Sequence, residues 1–186
     1  MKKILIATMT LLAFRANALE YALVAEGRSN TGDASVYTQN FTNGTATTFG
    51  GGILASFNLP LVFFRSGLMY VPRTYQVNTG NSVNLVYTMN SLDVPVMVGL
   101  GLGLFSFYAG ADLGFKMSTS SSGYTATTFA DNSTFTSPQV GIDLNLIKFR
   151  ISAFYEAQTT VSTATSLGTT GAIRGTAIGA RVGFIF

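Results

Sequence analysis

Residues 92–117, LDVPVMVGLGLGLFSFYAGADLGFKM, contain two apolar rows that change phase around Gly103. Before this glycine the apolar residues occupy even positions: Leu92, Val94, Val96, Val98, Leu100 and Leu102. After it they occupy odd positions: Phe107, Ala109, Ala111, Leu113, Phe115 and Met117. A period of two places each row on one face of a β-strand. The stretch therefore predicts two antiparallel strands joined by a tight turn at residues 102–104.

The same alternation recurs along the chain and predicts eight strands. They span residues 20–28, 48–57, 62–73, 85–101, 105–117, 136–146, 149–158 and 174–186. The connections at residues 58–61, 102–104 and 147–148 are short, whereas those at residues 29–47, 74–84, 118–135 and 159–173 are longer and polar. Because short and long connections alternate, all short turns meet at one end of the molecule. An outer-membrane barrel has this plan, with short periplasmic turns and longer extracellular loops.

Composition bears on whether such a barrel is soluble or lies in a membrane. Only 10% of the residues are charged, compared with about 25% in soluble domains. A soluble, lipocalin-like barrel would place the apolar rows in its lumen, but an eight-stranded lumen is too narrow for that many bulky side chains. The opposite rows are rich in glycine and contain a few charges. We therefore predict an all-β, eight-stranded antiparallel up-and-down transmembrane β-barrel with its apolar rows facing lipid.

A transmembrane helix is the alternative for residues 94–111, which contain no charged side chain. Pro95 and the four glycines of this stretch are poor helix formers. The alternation on both sides of Gly103 favours the hairpin.

The N-terminus is typical of a secretory signal peptide. Lys2 and Lys3 precede an apolar stretch at residues 4–14, and Ala-Asn-Ala at residues 16–18 matches a cleavage site. The apolar stretch is shorter than the roughly 20 residues that a membrane anchor needs. The predicted domains are a cleaved signal peptide at residues 1–18 and the barrel at residues 19–186.

The basic sequence pI of 9.3 comes largely from this segment. Removing residues 1–18 removes Lys2, Lys3 and Arg15 and leaves eight basic against eight acidic residues. The charge therefore gives no indication of a nucleic-acid partner.

The last residues, RVGFIF, place Val182, Phe184 and Phe186 on one face. A terminal phenylalanine preceded by alternating apolar residues resembles the C-terminal signal by which outer-membrane barrels are passed to their assembly machinery. The resemblance covers residues 178–186 and implies that machinery as a partner.

A wider resemblance covers most of residues 20–186. RSGLMYVPRTYQ (65–76) and SLDVPVMVGLGLGLFSFYAGADLGF (91–115) resemble the small outer-membrane β-barrel family, which includes porin-like and PorT-like barrels. The matching elements are Gly67-Leu68, Val94-Pro95 and Tyr108-Ala109-Gly110. The resemblance implies a location in the outer membrane of a Gram-negative bacterium, in contact with its lipid. It implies no particular activity, because the family has none in common.

Most charged side chains share the predicted inward phase. The predicted lumen network consists of Glu26, Arg65, Asp93, Asp112, Lys116, Asp143, Arg150, Glu156 and Arg181, and Glu20 and Arg28 have the same phase. Unpaired charges in a narrow lumen are costly, so we expect them to pair across the barrel. The first interpretation is a plug of ion pairs in a barrel with a structural or surface-interaction role. The alternatives are a narrow pore or small-molecule site and, third, acid–base chemistry.

The chain contains no histidine and no cysteine. It therefore lacks the commonest general base, the commonest metal ligand and a thiol nucleophile. We predict no enzymatic activity, no catalytic residues, no cofactor and no metal.

Three further expectations concern single residues and loops. Pro95 cannot donate to a β-ladder, so we predict a bulge there. Arg174 has lipid-facing phase but should lie at the outer rim. The Ser/Thr-rich loops at residues 29–47, 118–135 and 159–173 could bind a surface ligand, with Tyr37, Phe41, Tyr124 and Phe129 as candidate contacts.

Overall fold

The computed structural model describes residues 18–34, 41–79, 83–122, 127–166 and 169–186. This part of the chain forms nine strands: β1 (Ala18–Ala34), β2 (Phe41–Asn58), β3 (Val62–Thr79), β4 (Val83–Leu102), β5 (Phe105–Ser122), β6 (Thr127–Asp131), β7 (Thr134–Asn145), β8 (Phe149–Ser166) and β9 (Thr169–Ile185). Within these ranges no helix has the length and apolar character needed to cross a membrane.

The strands form one closed antiparallel barrel. Strands follow one another around the wall, and β1 pairs with both β2 and β9, which closes the sheet. β6 and β7 both pair with β8 and occupy one position in the wall. The barrel therefore has eight strands, as predicted, and residues 94–111 belong to the β4–β5 hairpin and not to a helix.

The tight turns lie together at one end of the barrel. Gly103 and Leu104 connect β4 to β5, and Gly103 has a φ angle of 68°, in the left-handed region that glycine adopts without strain. The other short connections are residues 59–61 and 146–148. This end is periplasmic in outer-membrane barrels.

The two faces of the wall have the predicted polarity. Val98 and Phe107 are about half exposed on the outer surface, whereas Tyr108 and Asp112 are buried inside. Because the outer rows are apolar and the inner rows contain the charges, the wall matches a lipid environment outside and a polar lumen inside.

The predicted long loops are largely wrong. β2 begins at Phe41, β3 ends at Thr79, β5 ends at Ser122 and β8 ends at Ser166, so the strands continue through much of residues 29–47, 74–84, 118–135 and 159–173. These extensions are polar and give no apolar alternation, although their many threonines suit strands. The same lack of alternation conceals β6.

Two of the candidate contact residues lie outside the described residues, namely Tyr37 and Tyr124. Phe41 and Phe129 lie in β2 and β6. The predicted signal peptide also lies outside the described residues, apart from Ala18, where β1 begins.

The bulge predicted at Pro95 is also wrong. Ser66 lies opposite Val96 and Met69 opposite Asp93, so the β3–β4 register is unchanged across Pro95. The missing N–H of proline interrupts the ladder there without requiring an extra residue.

The register instead shifts between β4 and β5 at Asn90 and Ser91, where Met117 is the additional residue of β5. Pairing between β5 and β7 ends nearby, at Phe115 and Thr134. Residues 117–122 are exposed on both faces. A bulge bends its strand and often ends pairing, which accounts for the separation of β5 from its neighbour at this height.

The seam between β1 and β9 holds the C-terminal residues in place. The Phe186 N–H donates to the Tyr21 carbonyl at 3.0 Å, and the two rings stack with centroids 6.4 Å apart. The Phe184 ring meets Phe149 edge-on at 5.5 Å. Val182, Phe184 and Phe186 all face the outside.

Candidate functional site: the charged lumen

Arg73 lies at the centre of the upper cluster, the group of lumen charges farther from the periplasmic turns. Its Nη2 lies 2.6 Å from Asp93 Oδ2 and 3.3 Å from Glu156 Oε2. Its Nη1 donates to Ser91 Oγ at 2.6 Å, and the whole side chain is buried. Sequence analysis missed Arg73 because β3 was expected to end there. A usable signal existed, since Arg65 and Arg73 are eight residues apart and thus share a face.

Two further arginines connect the upper cluster to the seam. Arg28 contacts Glu156 at 2.8 Å through Nη1 and Glu26 at 2.6 Å through Nε. Arg181 donates from Nε to the other oxygen of Glu26 and from Nη1 to Gln139 Oε1 at 2.8 Å. Because Glu26 lies directly opposite Arg181 in the β1–β9 ladder, this ion pair bridges the seam.

Asp112 also belongs to the upper cluster, but it lies farther from an arginine than the other carboxylates do. Its Oδ2 accepts a hydrogen bond from Gln139 Nε2 at 3.1 Å and lies 3.8 Å from Arg181 Nη2.

The lower cluster lies nearer the periplasmic turns. Arg65 Nη2 is 2.7 Å from Asp143 Oδ2, and Arg150 Nη2 is 3.0 Å from Glu20 Oε2. Both arginines donate to Ser56 Oγ at 3.2 Å. The shared serine and carboxylate contacts hold the two guanidiniums in one group despite their like charges.

Aromatic rings lie against the guanidiniums and over inward-facing glycines. The distances from arginine Cζ to ring centroid are 4.8 Å for Arg65–Phe63, 4.8 Å for Arg73–Phe135 and 4.2 Å for Arg181–Phe154. Four rings lie directly opposite a glycine of the next strand, in the pairs Phe63–Gly99, Tyr108–Gly141, Phe135–Gly114 and Phe154–Gly179. A Cβ at any of these glycines would lie within 2.5 Å of the ring. The glycines therefore provide the room that the rings occupy.

Arg150 of the lower cluster and Arg181 of the upper cluster line a common space in the lumen. A cavity of about 10 Å³ lies between Arg150 and Arg181, which is about the minimum for one water molecule. Beyond Arg73, toward the extracellular end, Tyr75 and Tyr87 lie opposite each other and are buried.

The family profile of the outer membrane protein beta-barrel domain matches residues 17–163. The chain belongs to this family. As a member of the outer membrane β-barrel family, it is a protein of the outer membrane, and its lipid-facing rows lie in that bilayer. A comparison with curated protein sequences found no match.

Solved structures with similar folds are small outer-membrane barrels. Neisserial surface protein A aligns with a TM-score of 0.56 at 15% identity, over 89% of this chain and 97% of that protein. AlkL, determined in lipid bilayers, aligns with a TM-score of 0.55 at 9% identity, over 92% and 91%. The attachment invasion locus protein Ail of Yersinia pestis aligns at 0.46 and 10% identity, over 90% and 99%. At these identities the likeness concerns the fold alone.

In this outer membrane β-barrel, eight of the nine predicted network residues are buried, and each contacts an opposite charge: Glu26, Arg65, Asp93, Asp112, Asp143, Arg150, Glu156 and Arg181. Lys116 is only partly buried, and its backbone N–H donates to the Ser133 carbonyl at 2.9 Å. Arg174 is exposed and lies opposite Asp33 in the β1–β9 ladder.

Proposed function

We propose that this protein is a non-enzymatic outer-membrane barrel whose lumen is closed by the two charge clusters and whose extracellular strand ends serve surface interactions. The observation that carries the proposal is the burial of five arginines in direct contact with carboxylates. No cofactor or metal is part of this function.

The contacts favour a plug over a solute pathway. Each guanidinium is shared between at least two acceptors on different strands, so moving one arginine would expose several buried charges. Breaking one buried ion pair typically costs about 3–5 kcal/mol.

The extracellular end is the surface available to partners. Residues 117–122 are exposed on both faces and contain no charge. Polar side chains on extended backbone there could bind a surface ligand, as first expected for loops. The expected partner at the other end is the barrel-assembly machinery, which would bind the strand containing Val182, Phe184 and Phe186.

Planar-bilayer conductance of the refolded protein tests the proposal. A heat-modifiable gel shift first verifies that the barrel has formed. We expect no channel steps from the wild type, whereas a R73A/E156A variant, which removes both charge and side-chain volume from the upper cluster, should conduct. Steady ohmic channels from the wild type would contradict the closed lumen.

A narrow pore is the second candidate, and one observation favours it. Several buried polar atoms in the lumen have no hydrogen-bond partner among the described residues, including Asp93 Oδ1, Asp143 Oδ1 and Tyr108 Oη. Such atoms could line a path for water or small ions. Wild-type conductance that changes when Asp143 is neutralised would support this candidate.

A further inference from the structure

Asp112 is the least compensated carboxylate of the upper cluster. Its nearest guanidinium nitrogen lies 3.8 Å away, on Arg181. The other three carboxylates, on Glu26, Asp93 and Glu156, each have a guanidinium nitrogen within 2.8 Å. The second oxygen of Asp112, Oδ1, is buried and accepts no hydrogen bond from the described residues.

Among the contacts of the described residues, the upper cluster has one carboxylate more than it has guanidiniums. Its contacts join four acids to three arginines, namely Glu26, Asp93, Asp112 and Glu156 to Arg28, Arg73 and Arg181. A net charge buried in a narrow lumen is costly unless it is compensated. One positive charge from solution would compensate it. A proton needs no space of its own and can bind directly to the Asp112 carboxylate.

Ser137 provides the second observation. It lies directly opposite Asp112 in the β5–β7 ladder, and its Oγ is buried without a partner among the described residues. Opposed side chains in such a ladder have Cβ atoms about 4.5–5.5 Å apart. A protonated carboxyl has an O–H to donate, which a carboxylate lacks. The Ser137 hydroxyl can accept from a neutral Asp112 or donate to an ionised one, so it can complete the hydrogen bonding of either form, and the choice between the two forms rests on the charge balance.

We propose that Asp112 is a proton-binding site of the closed lumen and is held as a neutral carboxylic acid that donates toward Ser137. This inference rests on the proposed closed lumen. Loss of the proton would create a second carboxylate competing with Glu26 for Arg181, so ionisation would disturb the ion pair that bridges the seam.

The charged groups around Asp112 come from every neighbouring element. They are Glu26 and Arg28 of β1, Arg73 of β3, Asp93 of β4, Lys116 of β5, Asp143 of β7, Glu156 of β8 and Arg181 of β9. Apart from Asp143, which belongs to the lower cluster, β7 contributes only the uncharged Ser137 and Gln139 at this height. Since the three arginines of the upper cluster have closer carboxylate partners, Asp112 is the acid at which a proton fits best.

Infrared spectroscopy of the refolded protein, in a detergent that contains no ester or carboxylic acid group, tests the site directly. The carbonyl band of a protonated carboxylic acid should be present at neutral pH and absent from Asp112→Asn. Glu20→Gln, which alters a partly exposed acid of the lower cluster, should retain the band. A wild-type spectrum without the band would overturn the proposal.

Urea unfolding across pH gives a second readout. The unfolded chain loses the proton above about pH 4, so the folded state binds more protons near neutrality. Stability should therefore fall as pH rises. We expect the urea midpoint to fall between about pH 5 and pH 8 in the wild type and in Glu20→Gln, and to fall clearly less in Asp112→Asn. An equal fall in all three proteins would contradict the proposal.

Sodium chloride and choline chloride distinguish the proton from an alkali ion. If the urea midpoint rose with sodium chloride but not with choline chloride, and the carboxylic acid band were absent, the cation bound at Asp112 would be sodium and not a proton. If the proton site is refuted but the wild type shows no channel steps, the proposed closed lumen still holds. If the wild type forms open channels, the closed lumen is refuted whatever the infrared result.

Discussion

Gly179 of β9 lies directly opposite Phe154 of β8, and the Phe154 ring occupies the space that a side chain at position 179 would need. A Cβ there would lie 2.3 Å from Phe154 Cζ. The ring cannot move aside freely, because the guanidiniums of Arg28 and Arg181 lie 5.4 and 4.2 Å from its centroid. The same opposition of glycine and ring recurs in three other pairs, on the β3–β4 and β5–β7 ladders, so inward glycines determine where the aromatic layer fits.

Replacing Gly179 with alanine should destabilise the barrel. We expect the free energy of unfolding to fall by about 1–3 kcal/mol, the usual cost of overpacking. Gly183→Ala is the matched control on the same inner face, since its nearest atom would be 3.4 Å away. Urea titration followed by the heat-modifiable gel shift measures both. Equal stability of the two variants would refute the steric account.

Replacing Arg73 with methionine should be among the most damaging single changes. It leaves Asp93 and Glu156 with less compensation in the buried lumen, and we expect a loss of about 3–5 kcal/mol. Arg174→Met, at an exposed position of β9, should change stability by about 0.5 kcal/mol or less. The same unfolding assay compares them, and a mild effect at Arg73 would mean that the upper cluster contributes little.

Replacing Val98 with arginine should test whether this part of the outer face lies in the hydrocarbon of the bilayer. Val98 lies on the outer face of β4, four residues before the strand ends at Leu102, and an outward-facing arginine costs about 2–4 kcal/mol at the bilayer midplane. Leu104→Arg places the same charge at the periplasmic turn, where the cost should be about 0–1 kcal/mol. Unfolding in phospholipid vesicles provides the measurement. If both variants were equally stable, the assignment of the outer face to lipid would need revision.

Phe186→Ala should impair assembly in cells more than folding in detergent. The substitution removes the stack on Tyr21 and alters the proposed assembly signal, while the β1–β9 ladder keeps its backbone hydrogen bonds. Phe107→Ala, another exposed aromatic of the outer face, is the control. Outer-membrane fractionation measures assembly, and detergent refolding yield measures intrinsic folding. Parallel losses in both assays would point to a purely structural role.

The apolar alternation predicted the membrane-embedded half of this protein well. Strands such as residues 105–117 have one face against lipid, and that requirement is visible as a period of two. The extensions to Phe41, Thr79 and Ser166 have no apolar row on either face, so their pattern does not distinguish them from loops.

The sequence predicted which charged side chains face the lumen, but not which of them form ion pairs with each other. The inward position of Glu26 and Arg181 follows from parity alone. Their contact depends on which strands close the barrel and at what register, which parity does not specify. Arg73 was missed through one misplaced strand end, and the bulge assigned to Pro95 lies at Met117 because proline can lose a ladder bond without shifting the register.

The seam between β1 and β9 should limit the rates at which the barrel forms and unfolds. Every other ladder joins strands that follow closely in the chain, whereas the seam joins Glu26 to Arg181, 155 positions apart. Contacts of such long range form late and slowly. Once formed, they can be lost only by separating a whole ladder and exposing its buried ion pair in a solvent without water. The finished protein should therefore leave the membrane rarely, and its lifetime should depend on the height of that barrier more than on its equilibrium stability.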